Sequence, residues 1–135
     1  MYFQKASGEK IRILKGRTCS KTLPLLAFQI FEDQIAALSE CQRNTFPVSR
    51  YLMLNETFYG IFSTEEELRQ KEKGKFKPTS DRECLCYKNE ETKREFWIYS
   101  FYIFPQTLFV QECLKRWGKE GDKFVVAYRK SQQVD

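Results

Sequence analysis

The sequence predicts an α+β domain in which a mostly antiparallel sheet of about five to six strands packs against two longer helices, with one short helix on the surface. Three observations lead to it. Segments with period-two alternation or dense β-branched and aromatic content recur along the chain, apolar stripes at three- and four-residue spacing occur in two places, and helix-start chemistry stands at a third. At 135 residues, 41% hydrophobic and 16% aromatic, the chain has enough apolar surface for one core. Residues 1–135 are therefore expected to form a single domain, with flexible ends at 1–9 and 130–135.

The elements follow in order. Lys10-Ile11-Arg12-Ile13-Leu14-Lys15 alternates basic and apolar side chains, which predicts a first strand ending at Gly16, with Lys10 and Arg12 on the outer face. Leu25, Phe28, Phe31, Ile35 and Leu38 fall on one face of a helix over 25–42, with Pro24 in its first turn. A strand over 25–31 followed by a helix from 32 is the alternative. Pro47 breaks the chain, and 50–54 and 58–62 read as a hairpin around Asn55-Glu56-Thr57. Ser63 with Glu66 forms a capping box for a short helix from Thr64 to about Lys73, placed on the surface because Leu68 is its one strongly apolar residue.

After a loop over 74–80, residues 83–87 and 95–104 are predicted strands joined by a polar turn at 88–93. The second is apolar on both faces and is expected to be central. Val110, Cys113, Leu114 and Trp117 form a second helical stripe closed by Gly118, and a last strand runs over 123–129.

Charge is the most informative compositional feature. The net charge is +5, and residues 1–21 hold six Lys and Arg against one Glu, whereas the remaining residues carry 17 of each sign. A basic segment on a neutral body suits phosphate or an acidic protein surface. A second basic stretch, Lys71 to Lys77, places Phe76 among Lys71, Lys73, Lys75 and Lys77, where an aromatic ring can stack on a base.

Other chemistry is narrowed by what the sequence lacks. The chain contains no histidine, which removes imidazole-based triads, His metal ligation and imidazole proton transfer. It also lacks glycine-rich nucleotide-binding fingerprints. Five cysteines, at 19, 41, 84, 86 and 113, show no disulfide framework, and Cys84-x-Cys86 is too closely spaced for an ordinary zinc knuckle. Neither a cofactor nor a metal is expected. No apolar run approaches the roughly 20 residues of a membrane span, and no secretory leader is evident, so an intracellular protein, cytoplasmic or nuclear, is expected.

The first functional expectation is a non-catalytic binding module that contacts nucleic acid, or an acidic surface, through Lys10, Arg12, Lys15, Arg17, Lys71, Lys73, Lys75, Lys77 and Phe76. The second is a protein–protein or regulatory adaptor using a strand edge or exposed aromatic surface such as Tyr87. The third is a small metal-dependent nuclease using Asp81, Glu83 and Glu95.

Overall fold

Short segments from opposite ends of the sequence pair with one another. In the computed structural model, which describes residues 1–51, 56–71, 84–100 and 106–126, Tyr2–Gln4 (β1) runs antiparallel to Lys10–Ile11 (β2). On its other side β1 pairs with Lys123–Val125 (β8), so it is the middle strand of a first, three-stranded sheet. Phe3 lies opposite Ile11 and Phe124 and is 2% exposed. Phe3, within the N-terminal residues expected to be flexible, is thus part of the core. Burying one Phe contributes about 1.5–3 kcal/mol, which offsets part of the roughly 1–2 kcal/mol per residue that ordering the terminal backbone costs. Residues 130–135 lie outside the described residues.

The strand expected over 10–15 stops at Ile11. Beyond it a side chain takes the place of a neighbouring strand: the Gln29 amide donates to the Arg12 carbonyl (2.9 Å) and accepts from the Leu14 N–H (2.9 Å). These two bonds satisfy backbone groups that a longer ladder would have paired.

The predicted helix over 25–42 is three helices, Thr22–Ile30 (α1), Glu32–Ala36 (α2) and Glu40–Asn44 (α3). Five consecutive residues of α1, Pro24 to Phe28, are buried, so this helix is enclosed on all sides rather than along one stripe. Phe31 leaves the helical conformation between α1 and α2 (φ −110°, ψ 20°). Its ring meets Phe3 and Trp117, while the next residue, Glu32, faces the second sheet. Ser39 and Gln42 form a complete capping box at the start of α3.

The second sheet has the order β3-β6-β7, from Arg17–Thr18 (β3), Cys84–Asn89 (β6) and Arg94–Tyr99 (β7), all antiparallel. Its centre is β6, not β7 as the two-faced apolar pattern predicts. The far edge of β7 is met by an isolated bridge in which Phe62 and Trp97 exchange backbone bonds of 2.8 and 2.7 Å. The expected strand residues 101–104 lie outside the described residues.

A hairpin forms from Pro47–Tyr51 (β4) and Glu56–Tyr59 (β5), so Glu56 and Thr57, expected in the turn, pair with Tyr51 and Arg50 instead, and β4 starts at Pro47, where a proline at a strand's first residue is tolerated. Glu65–Lys71 (α4) begins one residue later than the Ser63–Glu66 capping box implies. Thr64 Oγ1 accepts from the Glu67 N–H (3.2 Å), and the Glu67 carboxylate accepts from the Ser63 N–H (3.3 Å). Leu68 is fully buried under this helix, and its carbonyl accepts from the Tyr99 hydroxyl (3.1 Å). Gln106–Trp117 (α5) presents Val110 and Cys113 to the core and ends at Gly118, whose N–H donates to the Leu114 carbonyl (2.8 Å).

The protein is therefore mixed α+β, with five helices among the described residues, but its strands form three small sheets instead of one of five to six strands. The space between the sheets is filled by rings. Phe28 of α1 stacks on Tyr87 and Phe96 of the second sheet (5.0 and 5.8 Å) and meets Phe109 of α5 (4.5 Å). From there contacts run through Phe46, Trp117 and Phe31 to Phe3 and Phe124 in the first sheet. The buried residues form one continuous cluster.

Candidate nucleic-acid interface and the adjoining cleft

Alternation along β2 separates its charges from its apolar side chain. Ile11 lies opposite Phe3 on the inner face, and the flanking Lys10 and Arg12 reach Tyr2, whose ring centroid lies 5.0 Å from the Lys10 ammonium and 5.1 Å from the Arg12 guanidinium carbon. Each such contact contributes about 0.5–1 kcal/mol at an exposed site. Lys10, Arg12 and Lys15 are exposed and make no ion pair with a carboxylate among the described residues. The platform orders two cations and leaves their charge unneutralised.

Arg17 has a different environment. Its side chain is 13% exposed, and its Nη1 donates to the Lys15 carbonyl (3.0 Å) and meets Glu91 at 3.4 Å. It is packed against the second sheet instead of standing beside Lys10 and Arg12 on an outer face, because β3 pairs with β6 and carries it inward. Lys71 ends α4, which packs on β7, at the opposite edge of that sheet from β3. Lys73, Lys75, Phe76 and Lys77 lie outside the described residues, as do Asp81 and Glu83. Tyr87, taken as an exposed aromatic, is fully buried. Glu95 accepts a hydrogen bond from the Trp97 indole, which occupies one oxygen of the proposed acidic cluster.

Beside the basic segment, between the first sheet, the α1–α2 kink and the end of α5, lies a cleft of about 630 Å³. Phe3, Ile11, Leu14, Phe31 and Trp117 give it an apolar wall, and Lys5, Arg17, Gln34, Lys119 and Asp122 are among its polar groups. Asp122 accepts from the backbone N–H groups of Ala6 (2.9 Å) and Lys119 (2.8 Å). Those two donors hold its carboxyl below the ordinary range.

Sequence reading misses one buried polar centre altogether. The Glu32 carboxylate accepts from the Tyr87 hydroxyl (2.7 Å), the Asn89 amide (2.7 Å), the Thr92 hydroxyl (3.2 Å) and Arg94 (2.8 Å), and Arg94 also meets Asp33 at 2.6 Å. Burial by itself would raise the Glu32 pKa, but the four hydrogen bonds outweigh it and the net shift is downward. Burial and the bond to Glu32 push the Tyr87 phenol up. Four donors converge on the one carboxylate, and Arg94 bridges on to Asp33, so the centre fastens α2 to the β6–β7 hairpin. No local pattern announces it, since its members are 55 to 62 residues from Glu32 along the chain.

All five cysteines are free thiols. Burial first, and then the Glu95 charge, push Cys86 up to about 12, and burial raises Cys19 and Cys113. Such thiols are protonated at neutral pH and are poor nucleophiles. Among the described residues no group of three or more His, Cys, Asp or Glu side chains could hold a metal ion, and no helix is long and apolar enough to cross a membrane.

No protein family, curated protein or solved structure matches this chain.

Proposed function

We propose that the chain is a non-catalytic module that binds nucleic acid through the cations of its N-terminal segment. The observation that carries this reading is the Tyr2 platform, which holds Lys10 and Arg12 side by side without a carboxylate partner among the described residues. Lys15 follows on the same exposed segment, and these three cations are the ones assigned to phosphates. Neutralising a phosphate releases condensed counterions, so binding of this kind weakens steeply with salt. Arg17 is assigned to the cleft side of the segment instead. Lys71, Lys73, Lys75, Lys77 and Phe76 remain part of the proposal, and their contribution is read from the same assay.

The test is fluorescence anisotropy of labelled single-stranded RNA and DNA over a range of salt concentrations. Replacing Lys10 and Arg12 together with Ala is expected to weaken binding and to flatten the log–log salt slope by about 1.4, at about 0.7 per phosphate contact on single strands. Both side chains are exposed, so the variant is expected to fold as the parent does. Binding and slope unchanged in the double variant would overturn the reading. A partner that is a protein is favoured in its place if nucleic acid fails to bind at low salt, with Tyr59, 46% exposed on β5, as the first residue to change.

A further inference from the structure

We infer that the cleft beside the basic segment is a binding site for a single nucleotide unit, an aromatic base carrying a phosphate monoester. Its size is suitable: small-ligand sites run from about 300 to 1,000 Å³, and this one is about 630 Å³. Its chemistry has two parts that the same ligand must satisfy. The wall of Phe3, Ile11, Leu14, Phe31 and Trp117 takes a flat apolar body, and Leu14 is 53% exposed at its edge, a cost in water that a ligand would relieve.

The polar groups call for an anion. Of the charged groups that line the cleft, Lys5, Arg17 and Lys119 face one carboxylate, Asp122, whose two oxygens already accept backbone N–H bonds, and the Glu91 that Arg17 meets at 3.4 Å is largely exposed. Lys5 meets Glu9 at 3.5 Å, but that pair is exposed on both sides and holds weakly. Arg17 Nη1 donates to the Lys15 carbonyl and meets Glu91, and the Arg17 Nε is buried with no hydrogen-bond partner among the described residues. A buried, unpaired guanidinium nitrogen is uncommon and marks a place where a donor is left over. A phosphate monoester carries about −1.5 to −2 charges at neutral pH and three acceptor oxygens, which suits several cations better than a carboxylate does. Gln34 lines the same cleft, is exposed and makes no hydrogen bond among the described residues, so its amide is free to read a base edge.

This site lies on the inner side of β2, the side of Ile11, whereas the Tyr2 platform is formed by the flanking residues. The two sites are therefore separable by mutation, and the inference does not depend on the proposed function. The nucleotide has two possible sources, a free mononucleotide or the 5′-phosphorylated end of a strand, and the shared chemistry is base plus phosphate monoester.

The experiment is calorimetric titration of the full chain with AMP, GMP, CMP and UMP, with adenosine and inorganic phosphate as controls, while tryptophan fluorescence, to which Trp117 in the cleft and Trp97 both contribute, is followed. Saturable binding of at least one mononucleotide is expected, with adenosine and phosphate each weaker by about tenfold or more. The Lys5→Ala/Lys119→Ala variant changes two exposed side chains and is expected to lose about tenfold in nucleotide affinity, and Gln34→Ala to alter the preference among bases. In the Lys10→Ala/Arg12→Ala variant mononucleotide affinity is expected to be retained, so a failure of strand binding there leaves this site standing. Oligonucleotides with and without a 5′-phosphate separate the sources: a preference for the phosphorylated end assigns the site to strand termini, and equal binding of both assigns it to free nucleotide. No saturable binding of any mononucleotide at millimolar concentration, or affinity unchanged in Lys5→Ala/Lys119→Ala, overturns the inference.

Discussion

At the scale of single residues, Glu32 is where structure adds most to sequence. A carboxylate near the middle of an apolar stretch looks like an ordinary helix-start acid, yet its side chain is 9% exposed and takes four donors. Glu32→Gln places an amide N–H₂ where Thr92 and Arg94 expect an acceptor. Because Arg94 is itself about a third exposed, water recovers part of the loss, and the expected cost is about 2 kcal/mol, read as a lower urea midpoint. The pH dependence has a definite sign. The folded pKa lies below the ordinary 4.5, so on acidification the unfolded chain takes up the proton first. The contribution is complete above about pH 4.5 and is lost as pH falls through the lower folded value. Stability of the parent is expected to decline across that window more steeply than stability of Glu32→Gln; equal slopes would show that Glu32 does not titrate against folding.

At the scale of elements, the period of the apolar pattern locates strands and helices better than it locates their ends or partners. The β4–β5 hairpin, α4 and α5 are all legible in the sequence, whereas the cap of α4 moved by one residue because Ser, Thr and Glu in succession offer two registers for the same bonds. The helix over 25–42 broke at Phe31 because its ring and the following carboxylate are claimed by different neighbours. The passage from β5 to the Phe62 bridge shows a tertiary demand on one residue. Gly60 has φ +126°, and a Cβ there would stand 2.4 Å from the Phe62 ring. Gly60→Ala is expected to cost about 3 kcal/mol, from roughly 1–3 kcal/mol of backbone strain together with displacement of the ring. Chemical denaturation measures this, and a change below about 1 kcal/mol would mean that the Phe62 bridge to β7 is easily remodelled.

At the scale of the whole molecule, rings and helices join the sheets formed by the described residues. The chain of aromatic contacts from Tyr87 and Phe96 through Phe28, Phe109, Phe46, Trp117 and Phe31 ends at Phe3 and Phe124. Phe3, the second residue of β1, closes it and also forms part of the cleft wall. Phe3→Ala is therefore expected to cost about 3–5 kcal/mol and to loosen the first sheet, with raised amide exchange in residues 2–4, 10–11 and 123–125. Unchanged unfolding would show that the first sheet is dispensable to the core.

Spacing and composition established the α+β class, the apolar stripe of α5, the positions of the hairpins, the concentration of positive charge in residues 1–21 and the lack of histidine. These are properties of spacing and composition, which local geometry converts directly into faces and charges. Tertiary structure alone decided that Lys10 and Arg12 share Tyr2, that Arg17 turns inward, that Tyr87 is buried, and that Glu32 gathers donors from a hairpin far along the chain. It also divided the strands among three sheets. A period-two pattern states that a segment is a strand and which way its side chains point, but not which strand lies beside it, because pairing partners are chosen by the packing of side chains remote in sequence.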